Sequence, residues 1–150
     1  MSELGFLGYR DAQVLEQRAD RTLWRAVRQS DGCPVVIKAS TGEPSSSLLQ
    51  SLQHEYDVLQ QLDIPSVVRA YAILRGSDHV ALVLEDFDGQ SLDALIGDGL
   101  EPRHFLRIAE RIARAVADVH ALDVAHRDLK PSNIIVNSET GSVKITDFQL

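Results

Sequence analysis

The sequence predicts an α+β fold, in which a five-stranded antiparallel sheet with one inserted helix is followed by the beginning of a helical lobe. The first 85 residues contain short β-branched and apolar runs separated by turn residues, which is typical of antiparallel strands. A segment whose apolar residues recur at helical spacing interrupts these runs, and a longer segment of the same kind follows Pro102. With 150 residues, of which 44% are hydrophobic, the chain can bury a core of its own.

Five segments before residue 86 are predicted to be strands. A polar stretch separates the first two, and Asp31-Gly32 forms a tight turn before the third. The fourth and fifth form a hairpin across a turn at residues 75–78. The predicted strands are residues 8–16, 22–29, 35–38, 67–74 and 79–85.

The inserted helix is expected between the third and fourth strands. Ser46 or Ser47 is predicted to cap it, and it runs to about Leu62, because Pro65 cannot continue it. Leucines recur along it at intervals of three and four residues, and Glu55 falls in the same stripe. A carboxylate in an apolar stripe requires a partner. The stripe consists of Leu48, Leu52, Glu55, Leu59 and Leu62.

A polar connector at residues 86–90 predicts a hinge. Residues 1–85 then form a first lobe, and residues 91–150 form part of a second. The second lobe is expected to begin with a short helix from Ser91 to Ile96.

A longer, mostly buried helix is predicted from Pro102 to about His120, followed by two short strands at residues 134–136 and 143–145. The apolar positions that recur at helical spacing are Phe105, Ala109, Ile112, Val116 and Val119.

Composition limits the classes of partner and compartment. A net charge of −7 disfavours nucleic acid, which proteins hold mainly with Lys and Arg. Cys33 is the only cysteine, so no disulfide within the chain is expected, and a reducing compartment is favoured. No apolar run is long enough to span a membrane, and no secretion signal is recognised, so we expect a cytoplasmic location.

The segment HRDLKPSN, residues 126–133, places Asp128 and Asn133 five residues apart in a loop that leads into a strand. An isolated Asp and Asn in a loop usually form an Asx turn. The eight consecutive residues, however, resemble the catalytic loop of Ser/Thr protein kinases. The resemblance implies that Asp128 accepts the proton of the substrate hydroxyl, that Lys130 lies beside the transferred phosphoryl group and that Asn133 holds a magnesium ion.

Asp147 and Phe148 follow the second short strand, fourteen residues after Asn133. At this spacing they resemble the first two residues of the kinase DFG motif, whose carboxylate binds magnesium against the nucleotide phosphates. Gln149 replaces the motif's glycine and removes a permissive backbone position.

The segment VVIK, residues 35–38, resembles the kinase VAIK strand. A lysine on an apolar strand requires a phosphate or a carboxylate, unless it lies at the strand end in solvent. The resemblance implies an ion pair between Lys38 and Glu55 that orients Lys38 toward the α and β phosphates of ATP.

The resemblance also implies an adenine site around the hinge. Leu84 would be the gatekeeper, and the backbones of Glu85 and Phe87 would hydrogen-bond to adenine. The predicted apolar walls of this site are Leu15, Leu23, Val36 and Ile135.

The glycine-rich loop of kinases has no counterpart here. When Leu23 is aligned with the valine after the last glycine, Glu16, Arg18 and Arg21 occupy the glycine positions. Either the loop has another conformation, in which an arginine meets phosphate, or nucleotide binding is weaker. A solvated loop charge is the usual role of such an arginine.

Most of the chain is similar to the N-terminal kinase domain of large bacterial sensors, in which a Ser/Thr kinase-like domain precedes an ATPase-like region and a histidine kinase. This predicts an enzyme that uses ATP and Mg²⁺ to phosphorylate Ser or Thr of a protein substrate, as a fragment of a longer signalling polypeptide. Two alternatives stay open: a pseudokinase-like nucleotide-binding or regulatory module, and a small-molecule phosphotransferase with the same loop spacing.

Overall fold

The computed structural model describes residues 8–76, 78–97 and 99–148. Ser77 of the predicted hairpin turn and Gln149 of the DFG-like motif lie outside these residues. The chain divides into two compact units. The first comprises the described residues up to Tyr56 together with Ala70–Asp86, and the second comprises Asp57–Arg69 and the residues from Phe87 onward.

The first unit contains the predicted five-stranded antiparallel sheet, with strand order β1-β2-β3-β5-β4. One face of this sheet carries an apolar core of buried Val, Ile and Ala side chains on β2, β3 and β5. The fourth strand starts three residues later than predicted, because Val67 instead forms an isolated parallel bridge with Ile145 in the second unit. The strands are β1 (Tyr9–Gln17), β2 (Arg21–Arg28), β3 (Pro34–Ser40), β4 (Ala70–Arg75) and β5 (Val80–Glu85).

Helix α1 (Ser46–Gln61) lies between β3 and β4 in the chain, and every member of its predicted stripe is buried. The cap was predicted wrongly, because the hydroxyl of Ser45 accepts the Leu48 N–H at 3.2 Å. Ser45 therefore occupies the position that Ser46 or Ser47 was expected to fill, and the first helical residue is Ser46.

The second unit contains a small antiparallel sheet, β6 (Gln90–Ser91), β7 (Ile134–Val136) and β8 (Val143–Ile145), in the order β6-β7-β8. Strands β7 and β8 have the predicted bounds. Strand β6 was not predicted, and it shortens the next helix, α2 (Leu92–Gly97), by one residue at its start.

Helix α3 (Pro102–His120) begins at the predicted proline but is not mostly buried. Only Ile108, Ala115 and Val119 are buried, whereas Phe105 is 55% exposed. The helix contacts β8, and its Ile108 belongs to a second apolar core, so only one face is covered and the rest of its circumference is exposed or partly buried. The buried members of this second core are Leu92, Ile108, Ile134, Val136 and Val143. Among the described residues, no helix has the length and apolar character that a bilayer crossing requires.

Candidate active site

Lys38 lies on β3, the central strand of the five-stranded sheet, and is only 3% exposed. Its Nζ atom donates to both carboxylate oxygens of Glu55 at 2.8 Å. The structure thus contains the predicted ion pair, and both side chains are almost fully buried. The carboxylate offsets the cost of placing an ammonium among apolar side chains, and it holds the ammonium in one position.

The strand register places three predicted adenine-site residues on the same face of the sheet as Lys38. Leu23 pairs with Lys38, and Val36 pairs with Leu84. Directly paired residues project to the same face, as do alternate residues of one strand. This face therefore combines a cation with apolar surface, which suits a nucleotide.

The remaining predicted adenine-site residues have other environments. Leu15 lies at a β-bulge of β1 and is 46% exposed. Glu85 ends β5 and is partly buried. Phe87 and Ile135 belong to the second unit, and both are partly buried. The ring of Phe87 lies 5.1 Å from the Lys144 ammonium.

The connection between β1 and β2 is an ordinary hairpin end. The backbone N–H of Arg18 donates to the carbonyl of Arg21 at 2.8 Å. The Arg18 guanidinium pairs with Glu16 at 2.7 Å, and both side chains are about half exposed. No residue between Glu16 and Arg21 has a positive φ. The backbone here adopts only conformations that any L-residue allows.

His126 is a buried residue that links the catalytic loop to the DFG-like segment. Its Nε2 donates to the carbonyl of Thr146 at 2.7 Å, and its Nδ1 accepts the N–H of Asp128 at 3.3 Å. These two bonds assign the neutral tautomer with the proton on Nε2. The ring also packs against Phe148, with centroids 4.5 Å apart. The sequence assigned no role to His126, although it begins the motif.

Asn133 holds the catalytic loop together from a short 3₁₀ helix, Pro131–Asn133. Its amide Nδ2 donates to the Asp128 carbonyl at 2.9 Å and to the Asp128 carboxylate at 3.3 Å. Lys130 Nζ donates to the same carboxylate at 2.7 Å. The structure therefore brings together the three residues that the sequence predicted for this loop.

The hydrogen bond from Lys130 holds the pKa of the Asp128 carboxyl below its ordinary value of 3.8. Partial burial opposes this shift, whereas the charge of Lys130 and the amide of Asn133 reinforce it. Asp128 is consequently ionised at neutral pH, as a group that accepts a hydroxyl proton must be.

A backbone hydrogen bond joins the residue before Asp147 to Asn133. Thr146 N–H donates to the Asn133 carbonyl at 3.0 Å, and Asp147 follows with a left-handed φ of 66°. The end of β8 is also bonded to residues 66–68, because Ile145 N–H donates to Ser66 at 2.9 Å and Val68 N–H to Ile145 at 3.0 Å.

Asn133 and Asp147 suit Mg²⁺ by their chemistry. Both carry hard oxygen donors. Because Asn133 Nδ2 donates to Asp128, Oδ1 is the ligand atom of this side chain, and it also accepts the Ser132 hydroxyl at 3.4 Å. Among the described residues, no group of three or more His, Cys, Asp or Glu side chains forms a metal cage. Magnesium commonly binds through one or two protein ligands, with water and phosphate completing its coordination.

Removing Lys38 alone should destabilise the protein more than removing both Lys38 and Glu55. Lys38→Met removes the observed partner of a buried carboxylate, so the free energy of unfolding should fall by about 3–5 kcal/mol. Lys38→Met combined with Glu55→Leu removes both charges and should recover most of this loss. Urea unfolding followed by circular dichroism measures these values.

The exposed Arg69 that pairs with Asp63 provides the matched control for this measurement. Arg69→Met should change the free energy of unfolding by less than about 1 kcal/mol. If the double variant is as unstable as Lys38→Met, the loss of stability does not come from leaving the buried Glu55 carboxylate without Lys38.

Lys130→Met should raise the pKa of Asp128 toward 3.8, whereas Lys130→Arg keeps the charge and should keep the pKa low. A carbon-detected NMR titration of the Asp128 carboxyl measures this. Because the pKa is lower in the folded state, the ionised carboxylate favours folding above pH 3.8, and this contribution is lost as the pH falls through the folded pKa. If the titration midpoint of the Asp128 carboxyl is unchanged in Lys130→Met, Lys130 is not the cause of its low pKa.

Comparison with known proteins relates this geometry to a family. The protein kinase domain family matches residues 22–150. Mitogen-activated protein kinase kinase 7 of Arabidopsis thaliana is 28% identical over 137 residues, which are 90% of this chain and 44% of that protein. Serine/threonine-protein kinase PrkC of Bacillus subtilis is 31% identical over 105 residues, which are 69% of this chain and 16% of that protein.

A solved structure gives the same result for the fold. The crystal structure of Rad53 residues 1–466 in complex with AMP-PNP matches with a TM-score of 0.74 and 27% identity, over 93% of this chain and 37% of that one. The chain thus spans less than half of the length of each of these three proteins. The match confirms the predicted kinase-like α+β fold, and the chain belongs to the protein kinase domain family.

Proposed function

We propose that the chain supplies the nucleotide-binding and catalytic residues of a Ser/Thr protein kinase, which transfers the γ-phosphoryl group of ATP to a protein hydroxyl. The observation that carries this proposal is the bonding of Asn133, which joins the ionised Asp128 to the backbone beside Asp147. These bonds support the proposal, because phosphoryl transfer requires a proton acceptor and metal ligands in one site.

Each residue of the proposed site has a separate role. Lys38, held by Glu55, binds the α and β phosphates, and Lys130 neutralises the phosphoryl group during transfer. Asn133 and Asp147 hold Mg²⁺, which when bound supplies positive charge to the phosphate oxygens. Adenine contacts are assigned to Leu15, Leu23, Val36, Leu84, Glu85, Phe87 and Ile135.

The proposed reaction conserves atoms and charge. Asp128 orients the Ser or Thr hydroxyl and accepts its proton as the hydroxyl oxygen bonds to the γ-phosphorus. The bond from that phosphorus to the bridging oxygen breaks, and ADP leaves. Positioning and charge stabilisation account for most of the rate in this class of reaction.

Asp128→Asn should lower the rate of phosphoryl transfer by about 10²- to 10⁴-fold, because the proton acceptor is lost. Binding of Mg²⁺-ATP should persist, because Asp128 is not assigned to the nucleotide. The first effect is measured by the transfer of labelled phosphate to a protein acceptor. The enzyme in this assay is the full-length protein that the reading frame encodes. Isothermal titration with ATP and Mg²⁺ measures the second.

Arg69→Met is the control for both measurements and should change neither.

The structure of the β1–β2 connection favours one rival function, a regulatory module that binds nucleotide without turnover, because no glycine cradles the phosphates there. Binding without transfer in the unmodified protein would establish that rival. Transfer that survives Asp128→Asn would contradict the assigned role.

We further propose that the chain is the kinase part of a longer bacterial sensor in the cytoplasm. The resemblance of nearly all of the sequence to such kinase domains supports this, as does the partial coverage of the relatives that it matches. The coding sequence after codon 150 should continue into an activation segment, then an ATPase-like region and a histidine kinase. An immediate stop codon would contradict this arrangement.

A further inference from the structure

The second unit contains a cavity of about 350 Å³ that has no part in the proposed kinase chemistry. It lies between α3, residues of and after α2 (Leu95 and Leu100), and the turn between β7 and β8. Its volume is at the lower end of the range for small-molecule sites, about 300–1,000 Å³. The described lining residues are Leu95, Leu100, His104, Arg107, Ile108, Arg111, Val136, Ser138, Glu139, Thr140 and Gly141.

The inner part of the cavity is apolar. Ile108 and Val136 are buried members of the second core, and Leu95 and Leu100 pack against that core while remaining partly exposed. A ligand with an apolar group would remove this leucine surface from water, which is favourable in proportion to the area covered.

The outer part of the cavity is cationic, in a chain whose net charge is −7. His104, Arg107 and Arg111 follow one another at intervals of three and four residues, so they lie on one face of α3. Glu139 is the one carboxylate among the described lining residues. The two guanidinium charges of Arg107 and Arg111 therefore face the single carboxylate of Glu139.

The wall opposite α3 is held in place by hydrogen bonds. Asn137 Oδ1 accepts the N–H groups of Glu139 and Thr140 at 3.1 and 3.0 Å. Arg111 Nη1 donates to the Thr140 carbonyl at 2.9 Å, which fixes its guanidinium at the edge of the cavity. A preformed wall reduces the entropy that a ligand must lose on binding.

We propose that this cavity binds a small organic anion, a carboxylate whose aliphatic or aromatic group lies on Leu95, Leu100 and Ile108. Arg107 and Arg111 bind the carboxylate, because a guanidinium donates paired N–H groups that match two carboxylate oxygens. Arg111 uses one of its five N–H groups on Thr140. None of the residues proposed to bind ATP or Mg²⁺ lines this cavity, so the two proposals fail independently.

Titration of the 150-residue chain with 3-phenylpropionate, followed by two-dimensional NMR, tests the proposal. Signals of Leu95, Leu100, Ile108 and Gly141 should shift, with a Kd of about 5 mM or lower for a probe of this size. 3-Phenylpropanol has the same apolar group without the charge, and acetate has the charge without the apolar group. Both should bind at least about tenfold more weakly.

Arg107→Gln is the test variant and Arg103→Gln is its matched control. Both arginines are exposed on α3, but only Arg107 lines the cavity. Arg107→Gln should weaken 3-phenylpropionate binding about tenfold, because a charge-assisted hydrogen bond is lost. Arg103→Gln should leave it unchanged, and thermal unfolding should show both variants folded.

Each of three binding results would overturn the proposal, and so would a fourth, absence of binding. The three are equal affinity for the acid and the alcohol, affinity unaffected by Arg107→Gln, and shifts confined to residues outside the cavity. Absence of binding at about 5 mM would overturn it as well, because the apolar group alone would then gain nothing from the leucine surface.

Discussion

The amide of Asn133 is the group on which the arrangement of the catalytic loop depends. It is 2% exposed, and a buried amide without partners is costly, so its bonds to Asp128 stabilise the fold. Its backbone carbonyl also accepts the N–H of Thr146. One buried residue thereby holds both Asp128 and the start of the DFG-like segment.

His126 reinforces this arrangement from the other side of the loop. Because its two ring nitrogens bond to Asp128 N–H and the Thr146 carbonyl, the ring cannot turn without breaking both contacts. Its contact with Phe148 ties the aromatic residue of the DFG-like segment to the same core. The left-handed φ of Arg127 and Asp147 are held by these surrounding bonds. Bonds among its own neighbouring residues thus hold the loop in one conformation.

The sequence predicted features set by local periodicity and failed where tertiary contacts decide. Strands β7 and β8 are short apolar runs between polar residues, so their bounds were predictable. Strand β6 consists of Gln90 and Ser91, which carry no strand signal and pair only because β7 lies beside them. The cap of α1 was ambiguous, because Ser45, Ser46 and Ser47 offer the same hydroxyl chemistry.

Helix α3 shows the limit of periodicity most clearly. It carries enough apolar residues for two overlapping stripes, and contact with the small sheet selects the one through Ile108, Ala115 and Val119. In the catalytic loop, the residue types of Asp128 and Asn133 were readable from the motif. Their bonds to each other and to Thr146 were not, since these join residues brought together only by the fold.

The buried Lys38–Glu55 pair bears on whether the loss of the glycine-rich loop removes nucleotide binding. A buried ion pair adds little stability relative to well-packed apolar residues of similar volume, since desolvation of both charges offsets their attraction. Stability alone therefore gives a weak reason for a lysine inside this sheet. Nucleotide binding gives a stronger reason, because Glu55 holds Lys38 in place on an apolar face of the sheet. The apolar residues of this face are Leu23, Val36 and Leu84. The β1–β2 connection has no glycines to bring its backbone close to phosphate. The contact assigned to Lys38 uses a side-chain ammonium on β3, so it does not depend on those glycines.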